Sequence, residues 1–264
     1  MGQIKVVVYG ASGRVGQEVI KAVCDDSETQ PVGAVDLRAG QDFLALPDGS
    51  GEVPFSADLA AVLGECRPDV LVDFTVAKST MQALPVCAEQ GVNMVIGATG
   101  FTEADFRELE ETAGKANICI MVAPNFALGA VLMMHLAKIA GKYFDHAEII
   151  ELHHDRKVDS PSGTAKMTAR SMVEARGKPF LPPAVTGESK DGRGLNMEEI
   201  SIHSVRLPGL MAHQEVILGA AGQTLSIRHD TINRECYMPG VLMAVKEVVG
   251  RKGYIYGLDN LLGL

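Results

Sequence analysis

The sequence predicts an α/β protein in which a doubly wound parallel sheet comes first and a smaller α+β domain follows. Two observations support this fold class. The first half of the 264-residue chain alternates short, continuously apolar runs with amphipathic stretches, which is typical of a parallel sheet covered by helices on both faces. The second half alternates apolar and polar residues within its runs, as expected for a mixed or antiparallel sheet with one covered face.

The first half contains the elements of repeated strand–helix units. Strands are predicted at 4–9, 31–36, 69–74, 92–97 and 118–123. Helices are predicted between them at 14–25, 57–66, 78–90 and 102–115. Pro85 lies inside the third helix and should kink or shorten it, because proline removes a backbone donor.

The second half has its own set of elements. Strands are predicted at 146–154, 199–207, 213–219 and 224–230, with a helix at 162–176. Segment 178–197 holds three prolines and three glycines, which predicts a long loop and a candidate for closure over a ligand. A helix at 240–249 should return to the first domain. The predicted domains are therefore 1–124 plus 235–264, and 125–234.

Composition excludes several classes of protein. The formal net charge is −9 and the pI about 5.3, which argues against a general nucleic-acid binder. Five scattered cysteines without a C-x-x-C pair indicate reduced thiols in the cytoplasm rather than disulfides or a zinc site. No signal peptide is expected, because the first residues already form a strand pattern. No membrane span is expected at 118–141, since Pro124 and Asn125 interrupt that apolar segment.

A glycine-rich turn follows the first predicted strand. Gly10, Gly13 and Gly16 would bring backbone amides and a helix N-terminus to a pyrophosphate. The spacing G-x-x-G-x-x-G is one residue longer than the usual fingerprint, so a turn that binds no nucleotide remains the alternative. Asp36 ends the second strand, where a carboxylate would bind an adenosine ribose. Together these residues predict a Rossmann-like dinucleotide-binding domain.

The residues beside Asp36 bear on the choice of cofactor. A carboxylate repels a 2′-phosphate, so Asp36 with Leu37 favours NADH. Arg38 offers a cation and leaves NADPH as the alternative. Two later turns, GATGF at 97–101 and APNFALG at 123–129, follow strands on the same edge, and Asn125 offers an amide near a nicotinamide. Ordinary loop chemistry is the alternative for both turns.

Two adjacent histidines begin a local basic cluster in this acidic chain. His153 and His154 would point to opposite faces of a strand, but the strand is predicted to end there because Asp155 and Arg156 break the pattern. Lys157 follows, and a buried core histidine is the structural alternative to a catalytic one. No metal is expected, since His153, His154, Asp155 and Asp159 match no common zinc spacing.

The turn SPSGTA at 160–165 predicts an anion site. Ser160 suits a helix N-cap and Pro161 the first helical position. The N–H groups of Ser162, Gly163 and Thr164 would then be open to a carboxylate, although a plain cap without a ligand is the alternative. Lys157 could pair with the same anion or deliver a proton. Arg234 is the candidate for a second carboxylate, so a small-molecule dicarboxylate is expected.

Five motifs together resemble one family of enzymes. They are GASGRVG, GATGF, APNF, ELHHDRKVDSPSGTA and RECYMPG, spread in order from residue 10 to residue 240. This combination resembles the dihydrodipicolinate reductases of the diaminopimelate route to lysine, whose motif H-H-x-x-K-x-D-[A/S]-P-S-G-T-A is highly specific. The resemblance implies nicotinamide-dependent reduction of a conjugated imine dicarboxylate, and a homotetramer built through the sheet of the second domain, which is thus a substrate-binding and oligomerisation domain.

The resemblance also implies residue roles. His153 is the acid/base residue, Lys157 the proton donor, and His154 helps to hold the substrate, whose carboxylate Gly163 and Thr164 bind. The implied cofactor residues are Gly10, Ala11, Ser12, Gly13, Arg14, Val15, Gly16, Asp36, Gly97, Ala98, Thr99, Ala123, Pro124, Asn125 and Phe126. The sequence departs from the pattern at Ser160, where alanine is frequent, and at Leu37, where some relatives carry an arginine for NADP.

Two other functions compete with this interpretation. Another two-domain nicotinamide oxidoreductase, acting on an amino or keto acid, would not explain KVDSPSGTA after paired histidines. A sensor that binds NAD without turnover would leave Lys157 and the Ser162–Thr164 turn without a task.

Overall fold

The computed structural model describes residues 2–183 and 191–264. The chain divides into two compact units. The first unit runs up to Ala127 and resumes at Arg234 through Leu264, and the second is Leu128–Asn233. The sequence prediction placed these junctions at 124/125 and 234/235.

The strands, in chain order, are β1 (Ile4–Tyr9), β2 (Thr29–Val35), β3 (Phe43–Ala45), β4 (Glu52–Ser56), β5 (Val70–Asp73), β6 (Asn93–Ile96), β7 (Cys119–Val122), β8 (His146–His153), β9 (Leu195–Met197), β10 (Ile200–Arg206), β11 (Ala212–Ala220), β12 (Gln223–Thr231) and β13 (Gly253–Tyr256). The helices are α1 (Arg14–Asp25), α2 (Leu59–Cys66), α3 (Ala77–Gln90), α4 (Glu103–Ala116), α5 (Leu128–Ala140), α6 (Gly163–Arg176), α7 (Met238–Val248) and α8 (Leu258–Leu262). None of the helices within 2–183 and 191–264 is long and apolar enough to cross a membrane.

The first unit is a Rossmann-like doubly wound sheet, which confirms the predicted fold class. The strand order is β13-β7-β6-β5-β1-β2-β4-β3, with parallel pairing except between β3 and β4. The chain moves outward from β1 to β2 and β4, then restarts at β5 on the other side of β1. Strands β5, β6 and β7 are buried at every position, and β1 from Val6 to Tyr9, as their apolar runs predict. The carboxyl ends of β1 and β5 therefore flank the crevice where ligands of such sheets bind.

Several elements differ from the prediction. Helix α3 continues through Pro85 to Gln90 instead of being shortened, because Ala83, Leu84 and Cys87 on either side of the proline are buried in the core. The short strands β3, β4 and β13 and the helices α5 and α8 were not predicted. Helix α5 is apolar around most of its circumference, so its sequence lacks the amphipathic period that identifies a helix.

The second unit is a mixed sheet with the order β12-β11-β8-β10-β9. Strands β8 and β10 are parallel and the other pairs are antiparallel, as the predicted mixed sheet allows. Helices α5 and α6 pack with alternate residues of these strands into one core, which includes Ala147, Ile149 and Val216. The prediction of one covered face is confirmed.

Part of the predicted loop 178–197 forms regular secondary structure. Residues 195–197 form β9, which pairs antiparallel with β10, and a short 3₁₀ turn covers 191–193. The loop prediction was wrong for 195–197, because pairing with the edge of β10 satisfies their backbone groups despite the nearby glycines. Residues 184–190 of this predicted closing segment lie outside the described residues.

Candidate active site

The turn after β1 packs glycines closely against the start of α1. Gly10 has a φ of +86°, a left-handed conformation that favours glycine. A Cβ on Gly16 would lie 2.2 Å from the carbonyl oxygen of Gly10, so the helix approaches the turn only without a side chain. Gly13 is the N-cap and brings no side-chain acceptor. The first N–H groups of α1, on Arg14 and Val15, are thus presented as a helix N-terminus that suits a pyrophosphate.

Asp36, the residue after β2, binds the glycine turn through its carboxylate. Its Oδ2 accepts the N–H of Ser12 at 3.0 Å, and its Oδ1 accepts the backbone N–H and the Nε–H of Arg38 at 2.9 and 3.2 Å. Burial raises the pKa of Asp36, but the hydrogen bonds from Arg38 and Ser12 outweigh it, so the pKa lies below its usual value. These three hydrogen bonds occupy three of the about four lone-pair positions of the Asp36 carboxylate, which leaves one for a ribose hydroxyl. Leu37 beside it is 80% exposed.

The turns after β6 and β7 lie on the same carboxyl edge of the sheet as the glycine turn. A Cβ on Gly97 would lie 2.2 Å from the ring of Phe74, so the ring sits directly against this turn. The Phe126 ring packs on Phe74 with centroids 5.5 Å apart. Asn125 Oδ1 accepts the N–H of Ala127 at 2.9 Å, which directs the side-chain amide.

The remaining cofactor residues contribute mainly through their backbones. Ala11, Ala98 and Ala123 are buried, whereas Thr99 and Pro124 are exposed. The structure thus brings the predicted residues of β1, β2, β6 and β7 to one edge of one sheet. A glycine cradle that a Cβ would fill, a helix N-terminus and a buried carboxylate fit a dinucleotide.

In the second unit, His153 is the last residue of β8, as the predicted strand end requires. It shares the covered face with Ile149 and Glu151, at alternate positions of the strand. His153 Nδ1 lies 2.5 Å from Glu151 Oε2, and the His153 side chain is 14% exposed. His154 lies beyond the strand and is exposed.

Glu151 is the centre of a polar network that the sequence analysis did not single out. Its carboxylate is fully buried and forms a two-point ion pair with Arg206 of β10, with both distances 2.8 Å. Burial raises the pKa of Glu151, but hydrogen bonds from His153, Arg206 and Ser204 lower it more, to about 2. The carboxylate is therefore ionised at neutral pH.

Lys157 is held beside this network by its neighbour in the chain. Its Nζ lies 2.7 Å from Asp159 Oδ1, and its side chain is 22% exposed. The hydrogen bond from Lys157 lowers the pKa of Asp159 more than burial raises it. Arg206 Nη2 also donates to the backbone carbonyl of Asp159 at 2.6 Å. Arg206, paired with Glu151, thus anchors the segment that carries Lys157.

The start of α6 differs from the prediction. The N-cap is Ser162, not Ser160, and its Oγ accepts the N–H of Ala165 at 3.1 Å. The N–H of Ser162 is not open to a ligand either, because it donates to Glu151 Oε1 at 3.2 Å. The Ser-Pro pair at 160–161 has the composition of an N-cap followed by the first helical residue. The helix nevertheless begins two residues later than this pattern predicts.

Gly163 and Thr164 are the first two residues of α6. Gly163 is exposed and Thr164 half-buried. The N–H of Gly163 donates to the carboxylate of Asp159, whose pKa it helps to lower. Both residues thus place backbone N–H groups at the helix N-terminus, where a carboxylate is favoured, and the Gly163 N–H already binds one from this chain. The Ser162 hydroxyl is committed to the cap.

Arg234 lies at the start of a 3₁₀ turn, Arg234–Tyr237, in the first unit. The sequence prediction counted it with the second domain. Its role toward a second carboxylate stays a prediction.

The sequence carried one signal for the Glu151 network. In β8 the residues at 147, 149 and 151 alternate as a covered face, and a charged residue in such a series needs a buried partner. Arg206, the partner, is 55 residues away and had no comparable signal. Among the described residues, no group of three or more His, Cys, Asp or Glu side chains is placed to hold a metal ion.

Comparison with known proteins supports the geometry. Two family models match the chain, "Dihydrodipicolinate reductase, N-terminus" over residues 4–126 and "Dihydrodipicolinate reductase, C-terminus" over residues 129–262. A 4-hydroxy-tetrahydrodipicolinate reductase of Dehalococcoides mccartyi is 57% identical over 264 residues, covering 100% of both chains. The same enzyme of Moorella thermoacetica is 46% identical, covering 98% of both.

One solved structure is also similar along nearly the whole chain. It is a dipicolinate-bound dihydrodipicolinate reductase from Paenisporosarcina sp. TG-14, 38% identical, with a TM-score of 0.87. The match covers 98% of this chain and 99% of that one. An amine dehydrogenase from Mycobacterium smegmatis, 16% identical with a TM-score of 0.67, shares the fold alone.

Proposed function

The chain belongs to the dihydrodipicolinate reductase family, and we propose that His153 and Lys157 provide the proton in its reaction. The reaction is the nicotinamide-dependent reduction of 4-hydroxy-tetrahydrodipicolinate to tetrahydrodipicolinate, in lysine and diaminopimelate biosynthesis. The observation that carries the proposal is the arrangement at the end of β8, where His153 is bound to a buried carboxylate and Lys157 lies in the segment that the same network anchors.

The substrate that we propose is held through its carboxylates. The first N–H groups of α6, on Gly163 and Thr164, suit one carboxylate, and His154 lies exposed beyond the same strand end. Arg234 is proposed for the other carboxylate, because its planar guanidinium binds one in a two-point manner. The relative that was solved with dipicolinate supports a planar dicarboxylate as the ligand class.

The first unit is proposed to hold the cofactor by the turns after β1, β2, β6 and β7. When bound there, reduced nicotinamide supplies a hydride. The hydroxylated substrate loses one molecule of water to give the conjugated imine. Arrival of the hydride at that imine leaves an enamine-like carbon, which must take one proton to complete the reduction. A proton held on His153 or Lys157 can be passed to that carbon, and solvent then restores it.

NADH is proposed as the preferred cofactor, with NADPH as a second donor. The carboxylate of Asp36 is ionised, buried and fixed by Ser12 and Arg38, so it would repel a 2′-phosphate. Leu37 is exposed and brings no charge. The side chain of Arg38 is 70% exposed and could bind a 2′-phosphate, which is why NADPH is retained.

A homotetramer in the cytoplasm is the proposed state of the enzyme. On β8 and β11 the residues between the core positions include Ile150, Leu152 and Ile217, which are only partly buried in this chain. A sheet face with such residues suits a second copy of the chain. Within residues 2–183 and 191–264 none of the five cysteines forms a disulfide, which suits a reducing compartment. Light scattering should give four times the 28.1 kDa of one chain.

The deciding experiment follows oxidation of the cofactor at about 340 nm, where reduced nicotinamide absorbs. Substrate is generated in situ from a coupled synthase. We expect rapid loss of NADH absorbance with the wild type, and a rate about 10² to 10³-fold lower with Lys157→Ala. Lys142→Ala, an exposed lysine of the same unit, is the matched control and should retain activity.

Two outcomes would contradict the proposal. Folded wild-type protein that binds NADH without oxidising it would exclude the reductase and favour a sensor. Equal rates for Lys157→Ala and Lys142→Ala would keep the reductase but remove Lys157 from the proton transfer. Faster reaction with NADPH than with NADH would overturn the cofactor preference alone.

A further inference from the structure

The carboxylate of Glu151 is saturated with donors. On Oε2 it accepts from His153 Nδ1 at 2.5 Å and from Arg206 Nη1 at 2.8 Å. On Oε1 it accepts from Arg206 Nη2 at 2.8 Å and from the N–H of Ser162 at 3.2 Å. The Ser204 hydroxyl is a further donor to this carboxylate. A carboxylate has about four lone-pair positions, so these donors occupy all of them. Only an ionised carboxylate meets this demand, because a glutamine would turn an NH₂ group toward other donors.

This arrangement decides where the proton of the imidazole lies. An ionised carboxylate has no hydrogen to donate, so the hydrogen in the contact with His153 belongs to Nδ1. The neutral ring is then the Nδ1–H tautomer, with its lone pair on Nε2. The protonated ring carries its second hydrogen on Nε2, and only that nitrogen is left to exchange it.

Arg206, on the neighbouring strand β10, completes the hydrogen-bond network around Glu151. It pairs in register with His153 across β8 and β10, and its fork holds both oxygens of Glu151. It also donates to the carbonyl of Asp159, two residues after Lys157. The ion pair between Glu151 and Arg206 therefore fixes three parts of the site. Glu151 holds the His153 ring and, through the N–H of Ser162, the start of α6. Arg206 holds the segment that carries Lys157.

We propose that Glu151, held by Arg206, is the positioning residue that keeps His153 in the Nδ1–H tautomer and so makes Nε2 the nitrogen that exchanges the proton in the reaction. This inference rests on the proposed function, which assigns proton transfer to His153. Glu151 acts through the histidine and does not itself take or give the proton.

The tautomer can be measured on the wild-type protein without any substitution. Protein labelled with [¹⁵N]histidine gives separate Nδ1 and Nε2 signals for each of its seven histidines, and His153→Gln identifies the pair that belongs to His153. At a pH where the ring is neutral, we expect the Nδ1 shift of a protonated nitrogen and the Nε2 shift of an unprotonated one. The opposite pattern would overturn the proposal.

Variants test whether the tautomer matters to turnover. Glu151→Gln should lower kcat about 10²-fold, the scale of one general acid–base group, with a smaller change in KM. Glu148→Gln is the matched control: on the opposite face of the same strand, Glu148 also holds a histidine and an arginine, His203 at 2.8 Å and Arg193. With an unchanged oligomeric state in light scattering, it should change kcat less than about twofold, since its partners His203 and Arg193 are not predicted site residues.

A double variant separates positioning from general damage. In the His153→Gln background, Glu151→Gln should cost little further activity, because its effect passes through the missing ring. Glu151→Asp, which keeps the charge, should restore the Nδ1–H signal and part of kcat. A full 10²-fold loss in the His153→Gln background would mean that Glu151 acts on the reaction by another route, and would refute the proposal.

The outcomes also separate this inference from the proposed function. A wild type that does not oxidise reduced nicotinamide would remove the function itself, whatever the tautomer. An active wild type whose Glu151→Gln variant retains full kcat would leave the function standing and remove the positioning role. If Glu151→Gln does not fold, the ¹⁵N shifts of the wild type still decide the tautomer.

Discussion

Replacing Glu151 should remove one defined part of the acid dependence of this protein's stability. The pKa of Glu151 is lowered from 4.5 to about 2 in the folded chain, although burial alone would raise it. A difference of about 2.5 units corresponds to about 3 kcal/mol of stability, at about 1.4 kcal/mol for each unit. Because the folded pKa is the lower one, this contribution is complete above pH 4.5 and disappears as the pH falls toward 2.

The assay compares urea unfolding of the wild type with that of Glu151→Gln at several pH values. At pH 7 the variant should be less stable by about 3 kcal/mol. At pH 3.5 nearly half of that difference should already be lost, from protonation of Glu151 in the unfolded chain. A difference that stays constant from pH 7 to pH 3, or grows as the pH falls, would refute the assignment of a strongly acidic carboxyl to this position.

Other predictions concern the first unit. Gly16→Ala should weaken NADH binding at least about 10-fold in a fluorescence titration, because its Cβ would lie 2.2 Å from the Gly10 oxygen. The control is Gly64→Ala in α2, whose Cβ would meet nothing within 4 Å. It should stabilise the folded protein by about 0.5 to 1 kcal/mol. Leu37→Arg should raise the NADPH/NADH ratio of kcat/KM about tenfold, since position 37 is exposed and one charged hydrogen bond to a phosphate is of that size. Thr80→Val should cost about 1.5 to 3 kcal/mol in urea unfolding, because Thr80 donates to the fully buried Asp73 at 2.5 Å. Unchanged NADH affinity, an unchanged cofactor ratio or unchanged stability would contradict these three in turn.

Much of the first unit could be predicted from the sequence because its signals are local. Continuous apolar runs identify buried parallel strands, and β1 matches the predicted bounds at Ile4–Tyr9. The glycine turn and Asp36 follow strands in the order that the fold requires. The failures have local causes as well. Helix α5 has almost no polar face, and β3 spans only three residues, so neither carries a period long enough to recognise.

The candidate site in the second unit could be predicted only in part, because half of it depends on contacts between distant strands. The motif at 153–164 is contiguous, so its histidines, lysine and turn could be found together. The position of the helix cap could not, because Ser160-Pro161 has the composition of a cap. The actual cap, Ser162, is held at the helix start by its bond to Glu151 in a distant part of the site.

The pairing of Glu151 with Arg206 depends on the parallel register of β8 and β10, which sets Arg206 beside His153. No local pattern encodes a register between strands whose paired residues lie 53 positions apart in the chain. A charged residue on a covered face nevertheless requires a partner, since burying an unpaired carboxylate is very unfavourable. The alternation in β8 therefore implies that a cation exists, while the sheet topology decides which one. Residues that position a catalytic group are harder to find from sequence than the group itself for this reason: their chemistry is visible, but their partner is chosen by the fold.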